Sequence, residues 1–254
     1  MRTFVAWTVL SVVLATSAHA QMPEMPVYES AWQQLNFEGV KPGDWVEYSD
    51  SGSRAKTALL KADDKTRWIE TNTNPMSTAD TYIVELDAKT GLALRAWKGK
   101  PGGEATPVKL EKFSTSDWTE EEKKEFEASK PKFSNRTGKV SREKVTVAKQ
   151  ELDCEKVVDD HDVEEKSSLS DKMVKYHDRW THWYSEEVPA FERAPGPEWN
   201  KDLKWEGAHP SSKGGEVRMT RENEKGQVRW EKKLVAFGHD AKATLKVKEF
   251  EEAK

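Results

Sequence analysis

Cysteine is almost missing from this chain. Cys154 is the only one in 254 residues, which excludes an internal disulfide framework and a cysteine-based zinc site. Beyond the N-terminus there is no apolar run long enough to cross a bilayer, which takes about 20 residues. Net charge is nearly missing as well. The 41 basic and 45 acidic residues leave −4, which argues against nucleic acid as partner. Apolar residues are scarce, at 35% against 34% charged, with a mean hydropathy of −0.87. The core must therefore be economical. We find no repeat and no low-complexity tract.

Catalytic signatures are absent too. There is no G-x-S-x-G elbow and no H-E-x-x-H. Gly102-Gly103 and Gly214-Gly215 read as turn pairs without the helix that a phosphate loop needs. His177 and His182, five apart on a strand, point to opposite faces. His161 sits in Asp159-Asp160-His161-Asp162, which reads as an exposed acidic turn; weak binding of a hard cation is the alternative. Cys154 lies between Asp153 and Glu155, which raise a thiol's pKa, so a buried structural thiol is expected. Glu186 and Glu187, adjacent on an extended chain, point apart. Catalytic residues, metal and cofactor are expected to be none. Asn135-Arg136-Thr137 is a glycosylation sequon, relevant only in a eukaryotic secretory pathway.

What is present starts with a leader. Arg2, an apolar run from Phe4 to about Ala15, and Ala18-His19-Ala20 form a positive n-region, an h-region and an A-x-A site in order. The expectation is a signal peptide over 1–20, cleaved after Ala20, and a periplasmic or secreted mature chain without an integral membrane segment. Residues 21–41 read as a Pro-containing leader with a short helix from Tyr28 to Phe37, Ser30 as its N-cap. Residues 42–254 read as one domain.

Within that domain, strand-like runs recur at short intervals. They are Asp44 to Tyr48, Ala55 to Asp63, Thr66 to Thr71, Thr81 to Leu86 and Leu92 to Trp97. Lys144 to Val158, with a turn near Gln150, and Lys172 to Ser185 follow. A last hairpin turns at Glu224-Lys225-Gly226. One helix interrupts them near 119–130: Thr119 and Glu122 form a capping box, Pro131 ends it, and its charges face solvent. Several prolines mark an insertion near 190–214. The expected fold is mainly β (α+β), an antiparallel curved sheet or half-barrel with a few helices.

Ten of the 11 tryptophans lie beyond the leader. Trp45, Trp68, Trp97, Tyr176, Trp180, Tyr184 and Trp230 sit on strand faces and are candidates to line an apolar cavity; the alternative is an ordinary core. In the run from Lys172 to Ser185, the even residues Val174 to Tyr184 share one face. That places Trp180 among the most buried tryptophans, and Asp178 is expected either to lie near a strand end or to meet a cation or donor.

Three segments carry a resemblance. Pro42–Ser49 (PGDWVEYS) opens the strands. Glu151–Val157 (ELDCEKV) precedes a strand ending in Trp183–Pro189 (WYSEEVP). Lys232–Gly238 (KKLVAFG) closes the domain. Together they resemble uncharacterised exported bacterial proteins related to the lipoprotein-localisation factors. After Pro189 this chain departs from them with AFERAPGPEWNKDLKW. The resemblance implies a half-barrel of antiparallel strands closed by helices over an apolar cavity. The expected function is then non-enzymatic binding of an apolar or lipid-like ligand outside the cytoplasm. The alternative is an envelope or secreted interaction protein without a small ligand, and an unrecognised enzyme comes third.

Overall fold

The computed structural model describes residues 27–50, 52–72, 80–112, 119–167, 172–192, 203–211 and 213–252. The expected signal peptide and its cleavage site lie outside these residues, as does much of the 190–214 insertion.

Alternating apolar and polar residues make strands, and turn residues fold them back. From the N-terminus, β1 (Val27–Tyr28) leads into a 3-10 turn at Glu29–Trp32. A meander follows: β2 (Trp45–Asp50), β3 (Ser53–Ala62), β4 (Thr66–Thr71), β5 (Thr81–Asp87), β6 (Ala93–Gly99) and β7 (Thr106–Val108). The Asp63 carboxylate accepts from the amides of Lys65 and Thr66 to close the β3–β4 turn. Gly91, at φ 72°, closes the β5–β6 turn. Next come β8 (Leu110–Glu111), α1 (Glu120–Ser129), β9 (Lys132–Val147), β10 (Gln150–Lys166), β11 (Met173–Ser185), β12 (Lys204–Glu206), β13 (Gly215–Asn223), β14 (Val228–Gly238) and α2 (Lys248–Glu252).

Twelve of the strands form one sheet in the order β12-β9-β10-β11-β13-β14-β2-β3-β4-β5-β6-β7, while β1 pairs with β8. Every pairing in the large sheet is antiparallel except β12 with β9. It is a curved sheet that does not close into a barrel. The last strand, β14, pairs with the first of the meander, β2. That contact joins the two groups of strands.

Register assigns the faces. Val46, Tyr48, Leu59, Ile69, Tyr82, Val84 and Ala96 point to one side, where Trp32, Leu35, Phe37 and Val40 cover them. We call this the core face. The row Trp45–Ala58–Glu70–Ile83–Trp97 points to the other side, and Leu245, Val247 and Phe250 cover part of it.

Four expectations change. The helix from Tyr28 to Phe37 is a single 3-10 turn with Tyr28, not Ser30, at its cap position. Ala31, Leu35, Phe37 and Val40 all pack on the core, and their spacing of four, two and three fits no single helical face. The Asp159–Asp162 turn is instead the interior of β10, with Asp159 and His161 buried. Trp180 is half-buried, whereas Trp32, Trp68, Trp97 and Trp183 are buried. Thr181 and Trp183 are also buried on the opposite side of β11, so its end is covered on both faces. The α1 capping box is present as read, and the helix buries no residue.

Candidate functional site

On the C-terminal half of the sheet the core face is polar at its centre. Period-two alternation puts Tyr176, Asp178, Trp180, His182 and Tyr184 of β11 on this face. The register with β10 adds Asp159 beside Trp180 and His161 beside Asp178. Rings run along it as a ladder. Phe133 meets His161 edge-on at 5.1 Å, His161 meets Trp180 at 6.0 Å, Trp180 meets His182 at 6.4 Å, and His182 stacks on Tyr184 at 5.8 Å.

Three ionic groups hold the ladder. At the covered end, His182 Nδ1 lies 2.8 Å from Glu216 Oε1, and Lys232 Nζ donates to Glu216 Oε2 at 3.1 Å. Lys232 also pairs with Glu192. Tyr48 donates to the Glu216 carbonyl at 2.8 Å. Burial pushes Glu216 toward its neutral form, but the His182 hydrogen bond and the Lys232 charge outweigh it and hold the carboxyl below its usual range. Burial, only partly offset by Lys232, leaves Glu192 raised. Burial also disfavours the charged form of Lys232, and the two carboxylates overcome that and raise its pKa. Burial raises Tyr48 and Tyr184 well above the phenol range, helped by the same two carboxylates.

In the middle, Asp178 Oδ2 accepts from Trp180 Nε1 at 2.8 Å and from Arg221 Nε at 2.5 Å. This is the donor-and-cation environment its buried position requires. Arg221 also donates to the Tyr176 hydroxyl, which donates to Glu165. At the far end, Asp159 takes His161 Nδ1 at 2.9 Å and Arg136 Nη2 at 2.5 Å. Burial alone would raise Asp159, and these two partners lower it instead.

The seven candidate lining residues do not share one cavity. Trp45, Trp68 and Trp97 lie on the face opposite the core face. Trp68 and Trp97 stack at 5.5 Å, and Phe250 packs on Trp68. Trp45 donates its indole N–H to Asp240 under the Lys56 ammonium. Tyr176, Trp180, Tyr184 and Trp230 are on the core face. Tyr184 is buried, and the other three are half-buried. Arg221 stands near the rings of Tyr176 and Trp180.

His177 and His182 do lie on opposite faces. His177 bridges Asp160 at 2.7 Å and Asp162 at 3.0 Å on the far side from Glu216. Among the described residues no cluster of three His, Cys, Asp or Glu side chains could hold a metal. Cys154 is buried, and burial first, then Asp153, Glu143 and Glu187, pushes its thiol up to about 11. One concavity of about 400 Å³ includes Lys156, Asp160, Arg179 and Glu222 among its lining, on the face opposite the ladder.

Sequence reasoning missed Arg136, Glu216, Arg221 and Lys232, and it placed Asp159 and His161 in an exposed turn. Each lies in a charged stretch that reads as solvated. Most of their partners are distant in sequence, 23 residues for Arg136–Asp159 and 43 for Asp178–Arg221. The one available signal was the even-numbered face of β11, which carries Asp178 and His182 among rings.

No protein-family model matches the chain, and no curated protein matches it. Among solved structures it is similar to a candidate lipoprotein from Parabacteroides distasonis, with a TM-score of 0.33 and 10% identity over 78% of this chain and 96% of that one. It is also similar to a hypothetical protein from Chlamydia trachomatis, with a TM-score of 0.32 and 11% identity over 82% and 92%. A third is a candidate exported protein with a YmcC-like fold from Bacteroides fragilis, at 0.32 and 10% over 78% and 96%. At these scores the similarities carry no argument about function.

Proposed function

We propose that the protein is an exported, non-enzymatic binding protein that holds an apolar or lipid-like ligand against the far end of its core face. The observation that carries this reading is the contrast between the two halves of that face. Residues 27–40 pack over the meander half. On the other half, Phe133 is 46% exposed and Tyr176, Trp180 and Trp230 are half-buried among the described residues. Half-exposed rings beside buried ion pairs give an apolar surface with fixed polar points, the usual make-up of a ligand site. Export rests on the leader sequence.

A second reading, an interaction protein without a small ligand, draws on the filled state of the other tryptophan cluster, where Phe250 already packs on Trp68. Native mass spectrometry after mild extraction, with lipid titration followed by Trp fluorescence, separates the two. Co-purified lipid and a fluorescence change support the first. A protein that carries no lipid and shows no fluorescence response sinks it.

A further inference from the structure

The far end of the ladder holds two polar atoms with no protein partner among the described residues, Arg136 Nε and His161 Nε2, both buried. A bulge places Arg136 on this face, where it shares Asp159 with His161. In β9 the register against β10 shifts between Asp160 and Asp162, where Asn135 sits at φ 50°. The extra residue puts Phe133 and Arg136, three apart, on the same face. Bulges re-aim side chains in this way and recur beside functional sites. Asparagine is among the few residues that tolerate that backbone region.

The two groups flank a single carboxylate. His161 Nδ1 lies 2.9 Å from one Asp159 oxygen, and Arg136 Nη2 donates to the other at 2.5 Å. Phe133 touches both, with its ring 5.1 Å from the His161 ring and 5.2 Å from the Arg136 guanidinium carbon. Phe133, itself 46% exposed, thus links the pair to the surface. On the other side of His161 the Trp180 ring begins the apolar row.

The chemistry of the two atoms is complementary. With Nδ1–H donated to Asp159, a neutral His161 presents a lone pair at Nε2. Arg136 presents a donor at Nε–H. Leaving such atoms buried and unpaired is costly, because each loses its bond to water and gains none in return. A hydroxyl group donates to the first and accepts from the second. Asp159 already neutralises Arg136, so the pair offers hydrogen bonds rather than net positive charge, and a carboxylate or phosphate gains little there.

We infer that Arg136 and His161, beneath Phe133, form the anchor for a hydroxyl head group of an amphiphile whose chain lies along Trp180. This rests on the proposed binding of apolar ligands and adds the ligand's polar end.

The test displaces N-phenyl-1-naphthylamine, an apolar fluorescent probe, from the full mature chain. Three competitors share a ten-carbon chain: decan-1-ol, its methyl ether and decanoate. Decan-1-ol should displace the probe at about ten-fold lower concentration than the ether, which cannot donate to Nε2. It should also outcompete decanoate. In Arg136→Lys, which keeps the charge facing Asp159 and loses the Nε donor, the alcohol's advantage should disappear. The wild-type comparison stands even if that variant does not fold. Equal displacement by alcohol and ether, or stronger displacement by decanoate, overturns the anchor while apolar binding survives. No probe binding at all defeats both.

Discussion

On the core face, rings meet charged side chains. Trp180 is held by Asp178 and flanked by Arg221, and it keeps part of its surface in solvent. Trp68 is 3% exposed between Trp97 and Phe250. Trp68→Ala should therefore cost about 3–5 kcal/mol, as fully buried tryptophans do, and Trp180→Ala should cost less. Urea denaturation of the two variants gives the order, and a larger loss for Trp180 would show that the far end of the face is closed. Glu192 supplies a pH test. Its folded pKa is raised, so its ionisation opposes folding, and the favourable contribution is complete below its ordinary value near 4.3 and lost as pH rises through the folded value. Glu192→Gln should leave stability unchanged at pH below about 4 and equal or exceed the wild type at neutral pH. Denaturation midpoints from pH 3 to 8 would check it, and a uniform loss at every pH would refute it. Lys232 has the opposite window. Its raised pKa contributes stability that is complete below about 10.4 and lost as pH rises through the folded value.

Two elements show how local signals succeed and fail. In α1 the Thr119 hydroxyl accepts from the Glu122 amide and the Glu122 carboxylate accepts from the Thr119 amide. All of this lies within four residues, so it was legible from the sequence. Because α1 buries nothing, Thr119→Ala should weaken the helix by about 1 kcal/mol without moving global stability. Hydrogen exchange should speed up at Glu120 to Glu122 only, and a drop in the denaturation midpoint would mean α1 is packed. In β9 the bulge at Asn135 was not legible, because a register shift is a relation between two strands. Asn135→Val places a β-branched residue at φ 50° and should cost about 1–2 kcal/mol. It should also abolish the alcohol preference at Arg136. A stable variant that keeps the preference would show that the bulge does not build the anchor.

For the whole molecule, an open twelve-stranded sheet has two edges to protect. One edge is β7, three residues long and containing Pro107, which cannot donate. On the other, β12 covers only Thr137 to Lys139 of β9. Past that point Arg142, Glu143 and Lys144 are exposed, and charges on an edge oppose pairing with a second sheet. The double variant Arg142→Val, Lys144→Val should self-associate more than the wild type, as read by light scattering; an unchanged molecular mass would mean another element guards the edge. The sequence alone determined the strand positions, the capped helix, the N-terminal leader pattern and the polar exception at Asp178. All of these depend on residues within a few positions of one another. Only the tertiary structure decided that Trp45, Trp68 and Trp97 face away from Trp180, that β14 joins β2, and that scattered charged residues converge on one face. Those depend on register and strand order. Burying a charge becomes tolerable only when it is paired, and the cations that pair Asp159 and Asp178 come from other strands, so no charged stretch read by itself reveals that it is interior.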